Sequence, residues 1–495
     1  MANWRAALGD WIAGRRGPQA RRFDAAKQSR LTYGWTTSNV AFNADLRMDL
    51  ESLRARSRDL AANNDYVRKF LSMVVANIVG PNGFSFQSRA AKPDGTPDKT
   101  DQDAIESALA DWMQAGGCEV TGKLSFADLC RLLVRGIARD GEALVRRVRS
   151  RRFACGYKLQ LLDIDRLDIK HNEELPSGNR VIMGVEVDGY GAPAAYWLLT
   201  RHPGDTLPGA ATKQMRERVP ADDIFHLFLA ERPEQVRGLP WGHTAMLRLQ
   251  MLAGYEEAAI VAARTGAAKM GFFVSPDGTG QNLGEKDSEG NFVTDAEAGA
   301  FQVLPEGYDF KPWSPEYPTQ NYDSFVKATL RGLASGLNVA YNSLANDLEG
   351  VNFSSIRSGT LEERDQWMVL QGWLVGAFLR PMFLDWIESA LLSGAIVSFG
   401  SPLPASKLWK FRAHQWQGRR WQWVDPLKDI QAAVMAIQNG LADPYTIAAQ
   451  QGMDADDVLD GIARFQQAAS VKGVTLGSPA PSAPPPTAAD EAVKQ

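Results

Sequence analysis

The sequence predicts an α+β protein built around one helix–β–helix unit. Three observations carry this. Residues 43–79, 101–115 and 125–140 repeat apolar side chains at helical spacing, residues 142–229 are mostly strand-like, and Leu239–Asn342 reads as a long helix, a β segment and a second helix. The 495 residues suffice for several domains with real cores. Hydrophobic content of 44% and a net charge of −4 describe an ordinary globular chain without bulk basic character.

The organising unit opens at Pro240–Trp241 and is expected to stay helical to about Ala268. Leu247, Met251, Tyr255, Ala258 and Ala262 recur at three- and four-residue steps and form one stripe. At about 1.5 Å per residue this helix reaches about 40 Å. Small residues gather in its second half, among them Ala253, Gly254, Ala258, Ala259, Ala262 and Ala263. Such a face lets another helix approach closely. Strand-like GFFVS at 271–275 and FQVLPEGYDFKPW at 301–313 follow, separated by a turn-rich stretch. Asp323 opens the second helix, with Val326, Leu330, Leu333 and Leu337 as its stripe and Asp323, Lys327 and Arg331 on its outer face.

The other elements follow in order. Residues 1–42 are polar and basic and read as an arm. Residues 43–79 read as one long helix with Asn43 as N-cap and Gly80–Pro81 as its stop. Its basic cluster Arg54, Arg56 and Arg58 is expected to be solvated or to face another subunit. Ser125 caps the helix that ends near 140. The strands of 142–229 are separated by turns rich in Gly, Pro and Asp. NVAYNSLANDLEGVNFSSIRSG at 338–359 is rich in Asn, Ser and Gly and is expected to be a loop. From Asn338 to Ile356 it holds no Lys, Arg or His. Helix resumes over Thr360–Leu392, where Pro381 should kink or divide it. Residues 425–470 form a three-helix unit, with Asp425 and Asp443 capping before proline and Gly440 and Gly452 as stops. From Gly477 the Pro/Ala-rich tail reads as disordered.

Chemistry-bearing motifs are absent from the pattern. His171, His202, His226, His243 and His414 show no metal-ligand spacing, and Cys118, Cys130 and Cys155 form no CxxC pair. Three cysteines without a framework fit a reducing compartment. GCEVTGKL at 117–124 nearly matches a phosphate loop, but Leu124 stands where a magnesium-binding hydroxyl belongs and no strand precedes it. No apolar run marks a secretory signal, and the most apolar stretch, 368–379, is too short to span a membrane. In 405–424, Trp409, Trp416, Trp421 and Trp423 interleave with Lys407, Lys410, Arg412, Arg419 and Arg420. That composition suits a single-strand platform, yet buried tryptophans covered by arginine stems account for it better.

Several blocks, in order, carry a resemblance: RARSRDLAANNDY and NIVGPNGF, then GVEVDGYGAPAAYWLLTRHPGD, then RGLPWGHTAMLRLQMLAGYEEAAIVAARTGAAKMGFF. NFSSIRSGTLEERDQW, RPMFLDWIESAL and WQGRRWQWVDPLKDIQAAVMAIQNGL complete it. Over residues 25–470 the chain resembles the lambda-like portal proteins of tailed bacteriophages. The resemblance implies a ring of about twelve copies at one capsid vertex, assembled in the host cytoplasm. It implies double-stranded DNA passing without sequence readout, and docking to the terminase large subunit, head-completion or tail connector proteins, and major capsid and scaffold proteins. It implies no cofactor, no metal, no membrane and no catalysis. Laid on this chain it gives an arm (1–24), a wing (25–238), stem helices (239–268 and 319–337), a clip (269–318), a tunnel loop (338–358), a kinked helix and wing return (359–424), a crown (425–470) and a tail (471–495). Asn342, Ser343, Asn346, Asn352, Ser354 and Ser355 are then expected to line the channel. Ala258, Ala259 and Ala262 would pack subunits, and Trp313 and Tyr317 would dock partners. The alternatives are an ATP-dependent DNA-processing enzyme and a non-ring head scaffold or adaptor.

Overall fold

The computed structural model describes residues 30, 32–205, 215–267, 271–274, 285–286, 292–293, 309–312, 321–349, 353–421, 426–453 and 455–472. The first helical stretch is two helices, α1 (Phe42–Asn63) and α2 (Asp65–Ile78). Asn64 breaks them: its backbone is extended and its side-chain oxygen accepts the N–H groups of Tyr66 and Val67, which caps α2. Asn43 is not the cap of α1. Its amide instead bonds the Glu234 carbonyl and the Val236 N–H, tying α1 to a distant strap.

Strand β1 (Ser85–Ser88) precedes α3 (Lys99–Met113) and α4 (Phe126–Asp140). Ser125 caps α4 by accepting the Asp128 N–H, and Gly141 ends it at φ +92°. A side chain at Gly141 would lie 2.4 Å from the Leu239 carbonyl carbon, so glycine is also required for the close passage of the strap.

Two antiparallel sheets follow. Strands β2 (Glu142–Arg149) and β3 (Tyr157–Leu162) pair as a hairpin. A five-stranded meander comes next, in the order β4 (Glu173–Glu174), β5 (Arg180–Ile182), β6 (Val185–Val187), β7 (Pro193–Leu199) and β8 (Arg216–Pro220). Strand β9 (Ile224–Phe228) returns to the other edge of β2. The meander covers a small core of Leu144, Ile164, Met183, Tyr196 and Leu198, closed by Leu46 and Leu50 of α1.

The central unit begins with turns over 241–245, and its helix α5 spans Met246–Ala267. Strand β10 (Gly271–Val274), the short pair β11 (Glu285–Lys286) and β12 (Phe292–Val293), and β13 (Asp309–Pro312) follow. Strands β10 and β13 pair antiparallel, so the strand expected at 271–275 is formed over 271–274, and of the stretch expected at 301–313 the described part, Asp309–Pro312, is a strand. Helix α6 (Tyr322–Gly336) buries Leu330, Leu333 and Ala334, with Leu337 at its end. Lys327 bridges Asp323 at 3.0 Å along its outer face.

The segment expected to be a loop is partly helical. Helix α7 spans Tyr341–Ala345, and helix α8 begins at Phe353 and runs to Leu374. Composition misled here because Asn and Ser favour helix ends as well as loops. The kink expected at Pro381 is also absorbed differently. A π-helical turn, Val375–Leu379, joins α8 to α9 (Arg380–Leu392). Proline lacks an N–H and crowds the preceding turn, and a widened turn just upstream accommodates both. The continuous stretch Gly359–Leu392 is long and apolar enough by length and composition to cross a membrane, so the short-run argument does not decide the matter. Within it Phe378, Leu379, Met382, Phe383, Trp386 and Ile387 have no exposed surface and form the centre of the large core. Asp385 on the same helix pairs with Arg147 and Arg149 of β2.

A hairpin of β14 (Val397–Ser398) and β15 (Ser401–Pro402) leads to α10 (Leu408–Phe411) and β16 (His414–Gln417), which pairs with β1. Helices α11 (Pro426–Gln438), α12 (Pro444–Gln450) and α13 (Ala455–Val471) complete the described chain. Asp443 accepts the Thr446 N–H, and Gly440 and Gly452 adopt positive φ, as the spacing predicts. Asp425 lies outside the described residues.

Candidate functional site

Helix α5 carries apolar residues on more than one face, with Gln250, Glu257 and Arg264 forming a polar line, and this governs what its faces do. The inward seam is Ala245, Leu249, Leu252 and Ala259, with Glu256 between, at alternating four- and three-residue steps. It packs against α6 and α1. Glu256 accepts a hydrogen bond from the Tyr66 hydroxyl at 2.8 Å. The predicted stripe points elsewhere. Leu247 is 75% exposed and Met251 69%, and Ile260 and Val261 are exposed too. Of the three small residues expected between subunits, Ala258 is exposed and Ala262 half-buried, but Ala259 is covered inside the protomer. Periodicity could not choose the inward face because both faces are apolar.

The segment after α6 is held by side chains from four elements. Asn346 ends α7 in the left-handed region at φ +53°. Its side-chain oxygen accepts from Lys69 Nζ of α2 at 2.9 Å. Ser343 donates to Glu363 of α8 at 2.9 Å, and the Tyr341 hydroxyl donates to Asp347 at 2.7 Å. Lys327 reaches Glu349 at 3.3 Å and lies 3.9 Å from Asp347. The two acids of the segment are therefore partly neutralised by α6. Asn342 and Ser343 are half-buried and Asn346 is exposed. Asn352 lies outside the described residues, and Ser354 and Ser355 fall in the first turn of α8. Trp313 and Tyr317 also lie outside the described residues.

The tryptophan-rich stretch serves mostly as packing. Trp416 is buried against Phe86 and Phe126. Trp421 is half-buried, and its ring nitrogen donates to the Asn77 side chain at 3.2 Å. Lys410 is bound by Asp98 and Asp101, and Arg419 donates to the Ala76 carbonyl and the Asn77 side chain. Only Trp409, at 73% exposure, fits the platform reading among the described residues; Trp423 lies outside them. Replacing Trp416 by alanine should destabilise the chain by roughly 3 kcal/mol, near the lower end for a buried aromatic. Its ring N–H is buried without a partner, and truncation relieves that cost. A urea titration followed by circular dichroism measures this.

A cluster that sequence reading missed ties α1, β2, β9 and the strap together. Glu142 is buried and meets Arg237 at 2.8 Å, Arg54 at 2.5 Å and His226 Nε2 at 2.7 Å. It also accepts the Gly238 N–H at 3.0 Å. Arg58 joins Asp140 and Asp165. The basic run of α1 is thus largely internal, with Arg56 exposed. The sequence signal was weak, because Glu142 heads a strand that itself carries Arg146, Arg147 and Arg149, and Arg237 follows the polar run Glu231–Gln235.

The near-match at 117–124 has no phosphate-loop geometry. It follows the end of α3, its Glu119 is buried and accepts from the Thr121 N–H at 2.9 Å, and Val120 and Leu159 bond through their backbones. Asp163, Asp165 and His202 do bring one ligand atom each within 4.8 Å of one another, which no spacing rule anticipated. Asp165 there is already engaged by Arg54 and Arg58, so the group reads as an ion-pair cluster.

A family model described as phage portal protein, lambda family, matches residues 28–371. The chain is 36% identical over 448 residues to a probable portal protein of Halomonas phage phiHAP-1, covering 89% of this chain and 85% of that one. It is 22% identical over 461 residues to portal protein B of Escherichia phage lambda, covering 86% of this chain and 85% of that one. Among solved structures, a chain from the neck of an empty GTA particle computed with C6 symmetry aligns with a TM-score of 0.46 at 15% identity, over 82% of this chain and 93% of that one. On the extent of the family match and the near full-length relative, this chain belongs to the lambda family of phage portal proteins.

Proposed function

We propose that the chain assembles into a ring of about twelve copies, through which double-stranded DNA is packaged by a terminase and later released. The exposed outer stripe of α5 is the observation that carries this reading. Leu247, Met251 and Val261 share one face of a helix whose other side is already buried, so the stripe is left for a neighbouring copy. The crown helices support it, since Leu427, Met435, Leu459 and Phe465 are all exposed in the single protomer. In this reading Asn342, Ser343 and Asn346 line the bore, together with Asn352, Ser354 and Ser355, and Trp313 and Tyr317 form the docking edge for the motor and connector proteins. Ala258 and Ala262 join the subunit contact. Negative-stain images of the purified protein test this directly: rings with an axial hole are expected, and a monomer or dimer would instead favour an adaptor.

The bore argument makes its own prediction. A segment lacking cations over 338–356 touches phosphate weakly and lets DNA pass. Asn342→Lys would add about twelve positive charges to a twelve-subunit ring, which should tighten DNA binding and make it steeply salt-dependent. Asn342 is the better site because Asn346 holds a positive φ and bonds Lys69. Translocation should slow most at low salt. Equal rates for wild type and variant at every salt concentration would place the segment away from DNA.

A further inference from the structure

Beneath the α7 segment lies a cavity of about 350 Å³ whose walls come from α2, α7, α8 and the residues just after β16. Three cations line it, Lys69, Arg364 and Arg419, against one carboxylate, Glu363. Lys69 spends one bond on Asn346, and Glu363 accepts from Ser343. Among the described residues Arg364 has no ion-pair partner, and its buried Nε has no hydrogen bond. The guanidinium groups of Arg364 and Arg419 lie 5.8 and 5.7 Å from the centre of the Trp421 ring. Burial, and then the like charge of Arg419, pulls the Arg364 pKa down. Asp429, itself held by Arg357, pulls the Arg364 pKa the other way, yet two guanidiniums and an ammonium around Glu363 still leave the cavity net positive. Planar guanidinium donors suit phosphate oxygens best.

We propose that this cavity is an anion site that seats one phosphate group of the DNA backbone beside the channel segment. It rests on the channel reading above and refines it: α7 itself carries no cation, and phosphate contact is confined to a recessed site behind it. One defined contact per subunit would steady DNA without gripping it along the bore. Arg419 thereby gains a role beyond packing, since its Nη1 alone accounts for the bonds to Ala76 and Asn77.

The test uses intact rings of the full chain and a short duplex of mixed sequence, titrated over a range of salt. Lys69→Gln and Arg364→Gln are each expected to weaken duplex binding about tenfold and to lower the salt slope by roughly one. Arg364→Lys, which keeps the charge, should retain most of the affinity, and Arg412→Gln, an exposed cation outside the cavity, should retain all of it. Unchanged affinity in the two Gln variants overturns the proposal, as does an equal loss in Arg412→Gln. Inorganic phosphate at constant ionic strength separates the sources. If it raises the melting temperature of wild type but not of Arg364→Gln, while duplex affinity is the same in both, the site serves free phosphate and the DNA assignment fails. If Arg364→Gln abolishes rings that Arg364→Lys restores, with Lys69→Gln rings binding DNA normally, the cavity belongs to a neighbouring subunit's carboxylate. Failure of the channel reading looks different, because the wild-type protein itself would then form no rings or hold no duplex.

Discussion

Glu142→Ala is expected to cost about 3–5 kcal/mol of stability, the range for removing one partner of a buried ion pair. The carboxylate has no exposed surface, and Arg237 beside it has none either. Its loss leaves Arg237 and Arg54 buried without the charge that offsets their desolvation. It also orphans the Gly238 N–H at the entrance to the central unit. Glu142→Gln keeps the shape and should cost less, since one amide oxygen still accepts. The pH dependence gives a second readout. Burial would raise the Glu142 pKa, but Arg237, His226 and Arg54 outweigh it and hold the carboxyl well below the usual range. A carboxylate held low stabilises the fold above its unfolded pKa of about 4.3, and this is lost as pH falls below that value. For His226 burial outweighs the Glu142 contact and lowers the pKa, so the folded chain keeps the ring neutral. The unfolded chain takes up that proton near about pH 6.5, so stability already falls as pH drops through that region. Wild type should therefore weaken in two stages on acidification, and Glu142→Ala should lack the lower one. Urea midpoints measured from neutral to about pH 2.5 check both points. A midpoint at neutral pH that matches wild type would mean that water or relaxation replaces the carboxylate.

What could be read in the sequence was what is local. Ser125 and Asp443 cap helices where spacing placed them, and Gly440 and Gly452 end others. The β region from Glu142 and the central helix–β–helix order are as expected. The break at Asn64 was also local, since a side chain that caps the next helix needs only the following residues, but apolar residues at helical spacing on both sides of it hid it. The ion-pair cluster was not local: Arg54 and Arg237 lie 88 and 95 residues from Glu142. A charge run such as Arg54–Arg58 reads as surface until its partners are placed. The same limit applies to the proposed phosphate cavity, whose Lys69, Arg364 and Arg419 come from three separated stretches. The inward face of α5 was hidden for another reason. A helix with apolar residues on two faces has two candidate seams, and only the packed chain shows that Leu249 and Leu252 belong to the protomer while Leu247 and Met251 do not.

That division determines how assembly must be probed. Ala259→Trp would strike the protomer core, because Ala259 is only 4% exposed. The added bulk would then cost stability through overpacking, whatever the ring does. Leu247→Asp with Met251→Asp is the clean substitution. Both side chains are exposed in the protomer and touch its core little, so the melting temperature of the dissociated chain should stay within a few degrees of wild type. In a ring the same positions would be covered. Each Leu or Met then forfeits roughly 1.5–3 kcal/mol of burial, and each aspartate adds the cost of desolvating a charge. Every contact around a closed ring carries the pair, so the penalty repeats once per subunit. Rings should be abolished at concentrations where wild type is fully assembled, with a shift to monomer in light scattering. Intact rings from the double variant would move the subunit contact off this face of α5 and leave the exposed apolar residues of the crown as the surface that joins the copies.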